Sequence, residues 1–349
     1  MAERTIVTLG DTLAALVEGK KYTTLRDILV TMNAVDVAAV FEDMPQDKLP
    51  LLFRLLPKEL AAETFVEMAP EAQELLIQGF SDNELKEVVD ELYVDDAVDM
   101  LEELPATIVK RVLKNSSPDT RKLINQFLKY PDNSAGSVMN VDYIALRKEM
   151  TVAESILKIR QVGINKETIY TCFVTDSKRR LQGVVTVKDL LMSPYNTVIK
   201  DIMDENVIYA VTTEDREDVV ETFNKYDLLC LPVVDHEDRL VGIVTVDDAV
   251  EVMEQEATED FEKMAAMNPS EKPYLKTSVF QLAKNRIVWL LVLMFSSMVT
   301  GEILTQYEEA FSAIPLLVTF IPMLMNTGGN SGSQASTMII RGMAVGEIS

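Results

Sequence analysis

Residues 174–191 read Val174-Thr-Asp-Ser-Lys-Arg-Arg-Leu-Gln-Gly-Val-Val-Thr-Val-Lys-Asp-Leu-Leu191, and 59 residues later the chain reads Val233-Val-Asp-His-Glu-Asp-Arg-Leu-Val-Gly-Ile-Val-Thr-Val-Asp-Asp-Ala-Val250. Nine of the eighteen aligned positions are identical, so this is a duplicated structural unit. Each copy opens on a β-branched apolar run, passes a polar turn and returns through a second apolar run. At Thr186 and Thr245 the pattern changes to that of a helix. A helix-like segment precedes each copy, Val152–Val162 and Asp218–Tyr226, with matching leads upstream at Ser137-Val-Met139 and Asp201-Ile-Met203. The unit is α/β and occurs twice, over residues 131–200 and 201–249.

Residues 1–130 carry few strand-like runs and read as helical. Phe41, Phe53 and Phe65 recur every 12 residues, as do Met44-Pro45 and Leu56-Pro57, with Met68-Ala69-Pro70 one residue late. Proline ends a helix or sits in its first turn, which predicts a stack of short helices. A superhelical array fits, and a plain helical bundle is the alternative. The turn formers Tyr130-Pro-Asp-Asn-Ser-Ala-Gly136 separate this region from the duplicated unit.

Charge divides the chain of 349 residues unevenly. Residues 1–271 hold 52 acidic and 28 basic side chains, and residues 272–349 hold 4 and 5, out of an overall net charge of −23. This acidity argues against nucleic-acid partners, which require clustered Lys and Arg. No Ser/His/Asp or Cys/His set can be assembled around the single His236, which argues against an enzyme. Two cysteines without a CxxC pair give neither a disulfide framework nor a thiolate zinc site.

The acids concentrate in residues 201–262, with 20 acidic and 3 basic side chains. Their densest part is Asp247–Glu262, and residues 250–268 read as an acidic connecting helix. Its apolar Val250, Met253, Ala257, Phe261 and Met264 follow helical spacing, as one buried stripe would. A second acidic surface runs from Glu87 to Glu103 without a base. Two such surfaces brought together repel, by about 4 kcal/mol per pair at about 4 Å and an effective dielectric of 20. A compact arrangement therefore needs counter-charge. Hard oxygen donors without His or Cys select Mg²⁺ or Ca²⁺, and no EF-hand loop pattern is present.

Residues 274–349 read as membrane-spanning, with helices at about 285–306 and 311–340. Ile287–Gly301 and Ala310–Ile340 are uncharged, and about 20 residues cross the hydrocarbon core. Lys276, Lys284 and Arg286 before the first helix and Arg341 after the second put the N-terminal regions in the cytoplasm. The second helix contains Asn326-Thr-Gly-Gly-Asn-Ser-Gly-Ser-Gln334, which cannot face lipid without leaving polar groups unsatisfied. Asn326, Gly328, Gly329, Asn330 and Ser333 read as lining a hydrated cation pathway. Close helix packing through small residues is the alternative.

The duplicated unit resembles a tandem pair of CBS domains, with the G-h-h-T-x-x-D signature at Gly183–Asp189 and at Gly242–Asp248. That resemblance implies that Thr186 and Asp189, with Tyr170, hold the ribose of ATP or another adenine nucleotide; a cleft that binds nothing is the other reading. The whole order resembles the MgtE family of Mg²⁺ transporters and channels: helical N domain, CBS pair, acidic helix with Glu256-Ala-Thr-Glu-Asp260, and membrane helix with Thr327-Gly-Gly-Asn330. The resemblance implies a homodimer in a lipid bilayer, a multi-pass protein of the inner or plasma membrane taking up Mg²⁺. It implies a cytosolic part that senses Mg²⁺ and an acidic helix that plugs the pore. The regulatory ligands it implies lie among Glu59, Glu91, Asp95, Asp227, Asp248, Glu251, Glu256, Glu259 and Asp260.

Two departures from the family pattern stand out. Ser333 stands where several relatives carry Asn, and the chain holds two membrane helices where the family has five. The expectation is a chain lacking the C-terminal part of the membrane domain, or one that cannot conduct alone. The rival readings are a membrane-tethered nucleotide sensor and an acidic interaction scaffold, neither with transport of its own.

Overall fold

The computed structural model describes residues 9–269 and 277–344; Lys276, one of the flanking bases, lies outside them. The chain divides into two compact units, residues 1–249 and 250–349.

The first unit begins with short helices: α1 (Leu9–Glu18), α2 (Tyr22–Leu29), α3 (Ala34–Glu42), α4 (Leu49–Phe53), α5 (Lys58–Val66), α6 (Pro70–Gly79), α7 (Asp82–Val89), α8 (Val94–Glu103), α9 (Ala106–Asn115) and α10 (Pro118–Phe127). Pro50, Pro70 and Pro118 sit in first turns and Pro57 and Pro105 at N-caps, where a missing N–H leaves no intrahelical bond unmade. Helices pack mainly two apart, α3 on α5, α5 on α7, α7 on α9, with α4 on α6 and α8 on α10. The 12-residue phenylalanine recurrence fills the space between these rows. Phe41, Phe53 and Phe65 are all buried, and the Phe53 ring meets Phe65 edge-on at 6.0 Å and Phe80 at 5.3 Å.

Two matching three-stranded sheets follow. In the first, β1 (Ala145–Leu146) runs parallel to β2 (Thr171–Thr175), and β2 pairs antiparallel with β3 (Leu181–Thr186). α11 (Val152–Val162) connects β1 to β2, and α12 (Val187–Met192) follows β3. The second sheet repeats the order with β4 (Ala210–Val211), α13 (Arg216–Tyr226), β5 (Cys230–Val234), β6 (Leu240–Thr245) and α14 (Val246–Met264). Val174 faces Gly183 and Val233 faces Gly242, each beside a register shift at the equivalent place.

The two copies exchange their leads. Asn140 bridges to Ile243 in β6, and Asp204 bridges to Val184 in β3. Each lead thus crosses the signature glycine of the other copy. A Cβ on Gly183 would lie 2.9 Å from Met203 Sδ, and one on Gly242 would lie 2.6 Å from Met139 Sδ.

The second unit holds the rest of α14, then α15 (Val279–Gln306), α16 (Glu308–Ala313) and α17 (Leu316–Ala344, with Pro322 inside). Among the described residues one helix, Val279–Gln306, is long and apolar enough to cross a membrane. The helix expected over 311–340 is broken at Ile314-Pro315, where proline cannot extend α16. The buried stripe expected on α14 is corrected in part: Ala257 and Met264 are half-buried, and the other three positions are exposed. Val250, Met253 and Phe261 are 44%, 38% and 70% exposed, while Ala249 and Val252 are buried. Helical spacing marks an apolar face, and among the described residues Val250 and Phe261 on that face stay open to solvent.

Candidate functional site

The repeated motif builds two equivalent corners. Thr186 N-caps α12: its Oγ1–H donates to Asp189 Oδ2 at 2.5 Å, its backbone N–H donates to the same oxygen at 3.0 Å, and Asp189 N–H donates back to Thr186 Oγ1 at 3.1 Å. This reciprocal capping box fixes both side chains at the strand–helix junction. Thr245 and Asp248 repeat its two bonds to the carboxylate, with Oγ1–H donating to Oδ2 at 2.5 Å and N–H at 3.3 Å.

What surrounds the two corners differs. At the first, Val187 N–H donates to Tyr170 O at 2.9 Å, so Tyr170 stands beside Thr186 and Asp189 with its side chain 69% exposed. The three residues expected to hold a nucleotide are thus brought together, with an aromatic face open to solvent. At the second corner Leu229 takes the place of the tyrosine, its carbonyl accepting from Val246 N–H at 3.1 Å.

The second corner instead meets acids. Asp95 in the first turn of α8 is 9% exposed. Its carboxyl is held well above the usual carboxylate range, first by burial and then by Asp96, Asp248 and Glu167. Glu167 is pushed up to about 7, again by burial first and then by Asp248, Asp247, Asp96 and Asp142. Asn140 Nδ2 donates to Asp95 Oδ1 and to Glu167 Oε2, both at 3.1 Å. Lys166 Nζ lies 2.9 Å from Asp142 Oδ1. The donors at this seam between α8 and the CBS pair are oxygens, which fits a hard dication. Among the described residues no three His, Cys, Asp or Glu side chains converge closely enough to hold one. Carboxylates that repel stay apart until counter-charge arrives.

Of the metal ligands expected from sequence, Asp95 and Asp248 are brought together. Glu59 in α5, Glu91 after α7 and Asp227, the left-handed cap of α13, are exposed and separately placed. Glu251, Glu256, Glu259 and Asp260 belong to the second unit, where Lys263 Nζ pairs with Glu259 at 2.6 Å. Asn326, Gly328, Gly329, Asn330 and Ser333 are exposed along α17. Sequence reasoning misses Asn140, Asp142 and Glu167; the one signal for Asn140 is its place directly after the Ser137-Val-Met139 lead. Neither thiol is a nucleophile, since burial pushes Cys172 up to about 12 and raises Cys230 further.

A helical array joined through Asp95 and Glu167 to a duplicated α/β unit defines a multidomain protein with a tandem CBS pair. The sequence profile of the MgtE intracellular N domain matches residues 32–133, and that of the CBS domain matches residues 135–195 and 199–255. The magnesium transporter MgtE of Thermus thermophilus is 36% identical over 100% of this chain and 77% of its own length. That of Bacillus subtilis is 28% identical over 95% of this chain and 73% of its own. The crystal structure of the cytosolic domain of the Mg²⁺ channel MgtE in complex with ATP matches with a TM-score of 0.67 and 34% identity, covering 70% of this chain and 100% of that one. The chain belongs to the MgtE family, a family of transporters and not of enzymes.

Proposed function

We propose that the chain mediates Mg²⁺ uptake through the inner or plasma membrane, and that its cytosolic part reads the Mg²⁺ level and shuts the path when it is high. The observation that carries this reading is Asp95, a buried aspartate whose charged neighbours Asp96, Asp248 and Glu167 all share its sign. Desolvated like charges destabilise the contact between α8 and the CBS pair. A dication shared among their oxygens removes that repulsion, and Mg²⁺, which takes one or two carboxylates and keeps several waters, suits such scattered donors.

The remaining assignments follow from the same logic. Glu59, Glu91 and Asp227 bind further regulatory ions, and Glu251, Glu256, Glu259 and Asp260 on α14 form the plug over the pore. The exposed Val250 and Phe261 support a second copy as partner in a homodimer, since apolar surface of this kind is stabilised by removal from water. α15 and α17 cross the lipid bilayer of a multi-pass protein with the N-terminus cytoplasmic. Asn326, Gly328, Gly329, Asn330 and Ser333 line the path. Tyr170, Thr186 and Asp189 take ATP or another adenine nucleotide, a reading supported by the ATP complex of the similar cytosolic domain.

The test is hydrogen exchange of α8 and α14 in the full-length protein, from chelator to about 10 mM Mg²⁺. Protection that rises with Mg²⁺ is expected; equal exchange throughout would overturn the sensing role.

A further inference from the structure

Asn140 occupies a singular position. It is fully buried, and its backbone is clamped to β6 by two bonds: its N–H donates to Ile243 O at 2.6 Å and Ile243 N–H donates to its O at 2.8 Å. Its side chain is fixed at both ends. Oδ1 accepts from Asp142 N–H at 2.7 Å, closing a turn, and Nδ2 donates to Asp95 and Glu167. The reverse amide orientation would set an NH₂ against the Asp142 N–H, so the turn fixes which end faces the acids.

The duplicated architecture supplies an internal control. Asp204 holds the equivalent place in the second lead, bridging to Val184 as Asn140 bridges to Ile243. Its Oδ1 accepts from Asn206 N–H at 2.8 Å, the same turn made two residues on. An acceptor is therefore all the turn requires, and aspartate supplies one. What asparagine adds at 140 is a donor, and that donor is spent on two acids. One acid comes from α8 and the other from the first CBS copy, while the amide itself is tied to the second.

We propose that Asn140 is a positioning residue that sets the Mg²⁺ threshold for docking α8 onto the CBS pair, its amide standing in part for the dication when the dication is absent. This rests on the Mg²⁺-sensing reading above. A neutral donor between two acids offsets part of their repulsion and keeps both aimed at one point without cancelling their charge. The docked form is then held partly assembled in chelator, and less Mg²⁺ is needed to complete it. An aspartate at the same place would add a third carboxylate: no docking without the ion, and one more ligand with it.

The test follows hydrogen exchange of α8 amides against free Mg²⁺ in the full-length protein, for wild type, Asn140→Ala and Asn140→Asp, with β6 amides reporting the integrity of the fold. Asn140→Ala is expected to raise the Mg²⁺ midpoint by about tenfold while reaching the same plateau. Asn140→Asp is expected to lose the α8 protection that wild type has in chelator and to regain it at saturating Mg²⁺. If both variants keep the wild-type midpoint within about twofold and the wild-type protection in chelator, the proposal is wrong. Should Asn140→Ala lose β6 protection, Asn140→Asp decides, because Asp204 makes the same turn. If α8 protection in wild type ignores Mg²⁺ altogether, the sensing reading fails on its own account. The tie itself then stands or falls on whether Asn140→Asp lowers protection in chelator.

Discussion

Gly242 lies directly against Met139: a Cβ on the glycine would fall 2.6 Å from Met139 Sδ and 2.9 Å from the Asn140 carbonyl oxygen. The methionine tip can swing away, but the carbonyl is bonded to Ile243 N–H and cannot. Gly242→Ala is therefore expected to destabilise the CBS pair by about 1–3 kcal/mol, as overpacking does, and to disturb the acidic seam through Asn140. Denaturant unfolding reads the first effect and the Mg²⁺ dependence of α8 exchange the second. A variant as stable as wild type would mean that the crossing lead is not tightly held.

Removing the buried carboxyl of Asp95 is expected to have the opposite sign. In Asp95→Asn the substituted amide keeps an oxygen able to accept from Asn140, while burial and the neighbours Asp96, Asp248 and Glu167 no longer penalise a carboxylate there. The docked arrangement should be more stable than wild type in chelator. Its midpoint of thermal unfolding should rise, and the further rise on adding Mg²⁺ should shrink. A larger Mg²⁺ response than wild type would contradict the assignment of Asp95 to the sensing seam.

The division between what the sequence discloses and what it hides has a physical cause. Helix α11 has the bounds Val152–Val162 that its pattern predicts, and Thr186 sits at the N-cap of α12, because caps and periodicity are local properties. The Phe41, Phe53 and Phe65 recurrence is legible in the same way, and all three rings are buried, with Phe53 meeting Phe65 across the two rows. The acidic seam is not local. Asp95, Asn140, Glu167 and Asp248 are scattered over the chain and converge only because the leads cross between the copies, so Asn140 carries no periodic signal. The exposed Val250 and Phe261 show the complementary limit: spacing discloses an apolar face and is silent on what covers it.

The nucleotide corner yields a separable prediction. Tyr170 is 69% exposed, so Tyr170→Ala removes little packing and should leave the midpoint of unfolding unchanged. Loss of the aromatic face should weaken ATP binding by about tenfold, the scale of a base–aromatic stacking contact. Isothermal titration of the full-length protein with ATP measures this. Leu229, the counterpart at the other corner, is the matched control: Leu229→Ala should leave ATP affinity untouched. Equal losses in the two variants would remove the distinction drawn between the corners.

The pH dependence follows from Glu167, whose carboxyl is pushed up to about 7 by burial and by Asp248, Asp247, Asp96 and Asp142. An ordinary glutamate titrates near about 4.3, so between that value and 7 the folded protein holds a proton that the unfolded chain has released. Stability therefore falls as pH rises through this window, and the buried Asp95, shifted in the same direction, adds to the slope. At pH 6 a proton on Glu167 already relieves much of the repulsion, leaving less for Mg²⁺ to do; at pH 8 the carboxylate form predominates. The gain in unfolding midpoint on adding Mg²⁺ should accordingly be larger at pH 8 than at pH 6. Glu167→Gln should flatten the slope in chelator, because the group that titrates is gone while the acceptor for Asn140 remains. A Glu167→Gln protein with the wild-type slope would assign the titration to another group.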